Sequence, residues 1–162
     1  MKKEMGLFVM VLLVLTPFCM AQEQEFKGGI DPSSPFYGID RFVENMRLAL
    51  TFNQEQKVNL QLKFADERVG EIESMVKKEN QDGVERAIEE KNKIMEGIEK
   101  EGIESSEQIK EQIRERLEIQ KQEMVRIKNE HTAKEGVLFE NLRNEIDTEI
   151  QKTNSLKLRM NR

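Results

Sequence analysis

A run of apolar residues spaced alternately four and three apart decides the fold class of this chain: Val58, Leu62, Ala65, Val69, Ile72 and Val76. Side chains at that spacing share one face of an α-helix, whereas a strand repeats its faces every two residues. The alternation is a heptad seam, the pattern of helices that pack along their length in coiled-coil fashion. Leu60 and Phe64 lie off the seam. They give the first half of this helix a second apolar side, suited to an earlier helix.

The rest of the chain carries the same period. Ser34-Pro35 is a helix start, with Ser as N-cap and Pro at the first helical position. Phe36, Ile39, Phe42 or Val43, Met46 and Ala49 or Leu50 then recur at three- and four-residue spacing. This predicts a helix over about 36–50 whose apolar stripe faces the core. In Leu50-Thr51-Phe52-Asn53-Gln54, the Thr51 and Gln54 spacing reads as a capping box that opens a helix over about 54–78. After a turn at Asn80-Gln81-Asp82-Gly83, a third helix over about 83–101 carries Val84, Ala87, Ile88, Ile94, Met95 and Ile98, and Gly102 stops it. A second capping pattern, Ser105 with Gln108, opens a long helix over about 106–152. Its apolar stripe lapses between His131 and Glu135, and Gly136 weakens a helix interior, so a hinge is expected near 132–136. Residues 154–162 read as a frayed tail. The expected fold is all-α: an antiparallel helical bundle, or an extended helical hairpin, with one long C-terminal helix and coiled-coil-like packing.

The N-terminus reads as an address. Lys2 and Lys3 precede the apolar run Gly6 to Leu15, and Cys19-Met20-Ala21 closes it before Gln22-Glu23-Gln24-Glu25. A basic start, a short apolar stretch and a small residue describe a secretory signal over 1–21 with cleavage after Ala21. The run is shorter than the ~18 apolar residues of a spanning helix. Acylation at Cys19 is disfavoured by the bulky Phe18 before it. The expected location is secreted, periplasmic or cell-surface, with residues 22–34 a flexible leader. Cleavage removes Cys19, the only cysteine in the sequence. The exported chain then has no thiol for disulfides, catalysis or zinc, and its stability must come from apolar burial. Met46, Met75, Met95, Met124 and Met160 stand singly at apolar helix positions, as core filling does, rather than clustered as a soft metal site requires.

No catalytic, cofactor or metal constellation stands out. The 26 Lys and Arg residues are outnumbered by 31 Asp and Glu, which argues against nucleic acid as a partner. His131 is the single histidine, with Lys128 where a helical carboxylate site would place an acid. Gly28-Gly29 lacks the spacing and the Lys-Ser/Thr pair of a phosphate loop. The acids interleave with Lys and Arg as on any solvated helix face. The reading is therefore a protein that is not an enzyme, with a protein partner or an unfolded client as its ligand and a homodimer among its forms. Lys152, Lys157, Arg159 and Arg162 follow the last acid, Glu149, and give only a weak suggestion of a membrane surface.

Two resemblances bear on function. Asp31-Pro32-Ser33-Ser34-Pro35-Phe36-Tyr37, then Arg41-Phe42, Glu44 and Arg47-Leu48-Ala49-Leu50-Thr51-Phe52-Asn53, then Lys57, Leu60, Leu62, Phe64-Ala65 and Glu67-Arg68 resemble an uncharacterised domain family of exported or membrane-anchored archaeal and bacterial proteins. The motif positions are Pro35, Phe36, Tyr37, Arg47, Leu50, Thr51, Phe52, Gln54, Phe64 and Arg68. The resemblance implies a helical extracytoplasmic domain and carries over no catalytic residue. Leu50-Thr51-x-x-Gln54 is also similar to the L-T-x-x-Q motif of the Spy and CpxP periplasmic stress proteins, which implies an ATP-independent chaperone. The motif is physically a capping box, and the acidic balance of this chain departs from the basic cradle of those proteins.

Overall fold

A computed structural model of the chain describes residues 29–131 and 137–160, with the backbone alone for 137–139. The signal-like segment 1–21, leader residues 22–28, the hinge 132–136 and Arg162 lie outside the described residues. Five helices occur among the described residues: α1 Tyr37–Leu50, α2 Gln54–Lys77, α3 Gln81–Ile103, α4 Glu107–His131 and α5 Val137–Arg159.

Helices α2 and α3 form an antiparallel hairpin. Near its open end Lys57 Nζ lies 2.6 Å from Glu101 Oε1, and near its turn Gly83 packs against Met75. The turn is tight, and Glu79 adopts a positive φ of 55° there, in the left-handed region uncommon for a non-glycine residue. Helices α4 and α5 form a second antiparallel hairpin, with Lys128 against Asp147 at 2.5 Å and Lys157 against Glu118 at 2.7 Å. The hairpins stack with α4 running along α2 and α5 along α3. Arg116 Nε donates to Asp66 at 2.7 Å, Arg126 pairs with Glu73 at 2.9 Å, and Arg159 pairs with Glu99 at 2.9 Å.

The single long C-terminal helix is therefore corrected to two helices. A continuous helix would carry Leu142 and Ile146 away from Met124 and Ile127, whereas reversal brings all four into one buried cluster. The expected tail is corrected as well. Helix α5 continues to Arg159 because Leu156 and Met160 are buried against α2, α3 and α4.

All six seam residues of α2 are buried, and they serve two separate apolar clusters. One, nearest the hairpin turns, gathers Val69, Ile72, Met75 and Val76 with Val84, Ala87, Met124, Ile127, Leu142 and Ile146. The other gathers Val58, Leu62 and Ala65 with Met95, Ile98, Ile109, Ile113, Leu117, Leu156 and Met160. Between them lies a buried polar layer to which each of the four helices contributes: Asp66, Lys91, Gln120, and Glu149 with Thr153. Gln120 Nε2 donates to Asp66 Oδ1 at 2.6 Å, and Lys91 Nζ donates to Glu149 at 2.5 Å and to Thr153 Oγ1 at 3.1 Å. Burying these groups is tolerable because each finds a partner.

The helix ends correct the capping expectations. Asn53, not Thr51, caps α2, its side-chain oxygen accepting from Gln56 N at 2.9 Å. Thr51 Oγ1 donates back to the Arg47 carbonyl at 2.7 Å, and Gln54 Nε2 donates across to the Glu101 carbonyl at 2.8 Å. Ser105 likewise closes the preceding helix, donating to the Glu101 carbonyl at 2.7 Å. Ser34 does accept from the Phe36 amide, at 3.2 Å, but the helix begins at Tyr37.

Candidate functional site

Helix α1 packs inside out. It carries the apolar stripe read from the sequence, yet the residues it buries are Tyr37, Arg41 and Glu44. Their i, i+4, i+7 spacing puts all three on one face, toward α2. Phe64, Arg68 and Glu71 form the matching face of α2, and all three are buried.

The charged side chains interlock. Arg41 Nη2 lies 2.9 Å from Glu44 Oε1 and 3.8 Å from Glu71 Oε1. Arg68 Nη2 lies 3.2 Å from Glu44 and 3.0 Å from Glu71. Tyr37 Oη donates to Glu71 Oε2 at 3.1 Å, while the Arg41 guanidinium sits 4.8 Å from the centre of the Tyr37 ring. Asp40 also pairs with Arg41. Two arginines thus balance two buried glutamates, the condition under which buried charge is tolerated. Burial pushes the Tyr37 phenol far up, so it stays a donor. Burial also lifts Glu44 to about 8 and Glu71 to about 7, against the opposing pull of Arg41. Arg41 and Arg68 each keep two nitrogens, Nε and Nη1, without an acceptor among the described residues.

Residues 29–36 strap this cluster from the N-terminal side. A Cβ at Gly29 would come within 2.9 Å of Glu71 Oε1, so a larger residue there would have to push the Glu71 carboxylate aside. Asp31 bonds Lys78, which with Ser33 holds its carboxyl down at about 2. Arg86 donates to the Pro32 carbonyl at 3.0 Å. Residues 29–34 are therefore anchored, where a flexible leader was expected.

Because α1 is held by its polar face, its apolar face looks outward. Phe36 and Phe42 are 62 % exposed, Leu50 66 % and Phe52 91 %, and Ile39, Val43 and Met46 are exposed beside them. The expectation that this stripe enters the core is overturned. Buried pairing of Arg41, Glu44, Arg68 and Glu71 takes the contact with α2, and one helix cannot turn both faces inward.

The motif residues divide accordingly. Tyr37, Phe64 and Arg68 meet in or beside the buried cluster, while Pro35, Phe36, Leu50 and Phe52 lie on the exposed side. Arg47 is exposed, Thr51 half-buried, and Gln54 ties α2 to the end of α3. Arg41 and Glu44 stand among the residues that carry the family resemblance, but sequence reasoning assigns them no role, and Glu71 is not singled out by it. The signal for Arg41 and Glu44 is a second, polar stripe on α1 opposite the apolar one.

Elsewhere, His131 Nε2 lies 3.5 Å from Glu73 Oε1, between α4 and α2. Among the described residues no group of three or more His, Cys, Asp or Glu side chains is placed to hold a metal ion. Of the basic C-terminal residues, Lys157 and Arg159 are engaged by Glu118 and Glu99. No helix among the described residues is long and apolar enough to cross a membrane. Met75, Met95, Met124 and Met160 are buried, whereas Met46 is on the exposed stripe.

No curated protein and no solved structure matches this sequence. Residues 29–149 match a family model, a span that opens at the Gly29 strap and takes in the α1 cluster and the polar layer as far as Glu149. The chain belongs to that family, described as Domain of unknown function (DUF5667).

Proposed function

We propose that this protein is a non-catalytic, exported interaction module of the cell envelope whose α1 presents an apolar face to a protein partner. The observation that carries this reading is the outward stripe Phe36, Ile39, Phe42, Val43, Met46, Leu50 and Phe52, held in place by buried charges rather than left over from packing. A contiguous exposed apolar stripe of this length is a feature of interaction surfaces, since solvated helices scatter their apolar residues. Export rests on the signal-like pattern of residues 1–21. Cross-linking in intact cells followed by recovery of the protein tests the reading. Partners captured by the native chain and lost with Phe42→Asp support it, and capture indifferent to that change defeats it.

The alternative is an ATP-independent holdase for unfolding clients, and the same exposed stripe favours it. A holdase of that kind works through a broad concave apolar surface, whereas the stripe on α1 is a single convex helix face with a defined edge. The groove of about 530 Å³ between α3 and α5 is lined largely by polar residues, among them Asn92, Glu96, Thr148 and Gln151. An aggregation-suppression assay with a denatured substrate separates the two: a holdase suppresses at stoichiometric amounts, and a module with a defined partner does not.

A further inference from the structure

We infer that the partner of the α1 stripe is α1 of a second copy of this chain, the two helices crossing antiparallel about a two-fold axis near Phe42 and Val43. The inference rests on the interaction reading above and gives it a specific partner.

Three observations lead to it. The first is the register. The exposed stripe reads the same in both directions: about a centre between Phe42 and Val43, Ile39 lies as far to one side as Met46 to the other, and Phe36 nearly as far as Leu50. An isologous contact requires a patch complementary to itself, so that residue i meets j where j meets i. Antiparallel apposition sets Phe36 against Leu50 of the partner subunit and Ile39 against Met46 of the partner subunit. A heterologous partner would place no such demand on the order of residues.

The second is charge. Arg47 is exposed and forms no ion pair among the described residues. In the same register it lies opposite Gly38 of the partner subunit and about 3 Å along the helix axis from Asp40 of the partner subunit, a gap that the long arginine side chain spans. Asp40 pairs with Arg41 on its inner side and stays part-exposed on its outer side. The two-fold axis makes that contact twice, at the rim of the interface, where ion pairs set orientation.

The third is area. With aromatic side chains presenting ~150–250 Å² each, the seven stripe residues leave on the order of 700–800 Å² exposed. A stable interface of standard size takes ~800 Å² from each partner. A contact that covers the whole stripe approaches that size.

The test uses the full-length chain with Cys19→Ser, so that introduced cysteines are the only thiols. Val43→Cys lies beside the proposed axis, and Gln122→Cys, exposed on α4, is the control. Under mild oxidation in intact cells Val43→Cys is expected to give a disulfide-linked dimer and Gln122→Cys to stay single. Sedimentation of the purified chain is expected to give a dimer. Phe42→Asp should weaken it by at least about 100-fold, since the change counts twice in a symmetric contact. Arg47→Glu should weaken it less. Circular dichroism melts of each variant confirm that the bundle itself is intact, as expected for exposed positions.

A monomer at tens of micromolar, or Val43→Cys linking no better than Gln122→Cys, overturns the inference. If that monomer still loses its captured partners on Phe42→Asp, the interaction reading survives and only the second copy is wrong. If Phe42→Asp changes nothing, both fall. A monomer that instead floats with vesicles of phosphatidylethanolamine and phosphatidylglycerol, and ceases to do so on Phe42→Asp, also overturns the dimer and assigns the stripe to lipid.

Discussion

Lys91 Nζ sits 2.5 Å from Glu149 Oε1 with both side chains fully excluded from solvent, tying the middle of α3 to the middle of α5. Removing one member strands the other charge in the core. Lys91→Met is therefore expected to cost about 3–5 kcal/mol, while Lys91→Met with Glu149→Leu recovers most of the loss. Urea denaturation of the three proteins measures this. A double variant as unstable as the single would mean that the pair, rather than the stranded charge, supplies the stability.

The α1 cluster makes the docking of that helix depend on pH. Glu44 and Glu71, lifted to about 8 and about 7 from an ordinary 4.5, bind more protons folded than unfolded between those values. Stability from their burial is fully present below about 4.5 and is lost as pH rises through 7 to 8. Hydrogen exchange of the α1 amides, corrected for intrinsic rates, is expected to show more protection at pH 5 than at pH 8, with the α2–α5 core changing less. Glu44→Gln with Glu71→Gln should flatten the dependence.

Arg68 touches both buried glutamates, so Arg68→Ala should release α1 from α2. Above pH about 8, where both glutamates are ionised, the expected loss is about 3–5 kcal/mol of docking stability, because two carboxylates are left short of a partner. Arg68→Lys should rescue only part of it, since a single ammonium lacks the fork that reaches Glu44 and Glu71 together. Helical content by circular dichroism and protease cleavage near Leu50 report the release. An α1 as protected in Arg68→Ala as in the native chain would show that Tyr37, Arg41 and the strap of residues 29–36 hold it without Arg68.

Two neighbouring polar residues should differ in their effect. Asn53→Ala removes the cap of α2 and is expected to cost about 1 kcal/mol. Thr51→Ala removes only a hydroxyl donating back to Arg47, and it should change the melting midpoint by less. The reverse order would restore the Thr51 to Gln54 capping box.

At the C-terminus, Leu156→Ala is expected to cost about 2–5 kcal/mol, as for a buried side chain in a packed core. Leu158→Ala, at an exposed position two residues on, should be near neutral. Thermal melts of the pair show whether α5 is a full member of the bundle or a frayed end.

The heptad seam from Val58 to Val76 and the three- and four-residue spacing elsewhere determined the helices and the buried side of α2, because period alone fixes which side chains share a face. The separation of α4, which ends at His131, from α5, which begins at Val137, was legible as a lapse in the apolar stripe. What it became was not. A lapse is the same whether the chain bends or reverses, and only the clustering of Met124 and Ile127 with Leu142 and Ile146 decides for reversal. The capping residues were ambiguous for a similar reason, since Thr51, Asn53 and Ser105 all have oxygens within reach of more than one backbone partner.

The orientation of α1 belonged wholly to the tertiary structure. Its sequence specifies two good faces, one apolar and one charged, and periodicity ranks the apolar face as the inner one. Which face turns inward depends on what α2 offers across the gap. Arg68 and Glu71 offer charges that match Arg41 and Glu44, and such matching between elements far apart in the chain leaves no mark in the spacing of either one.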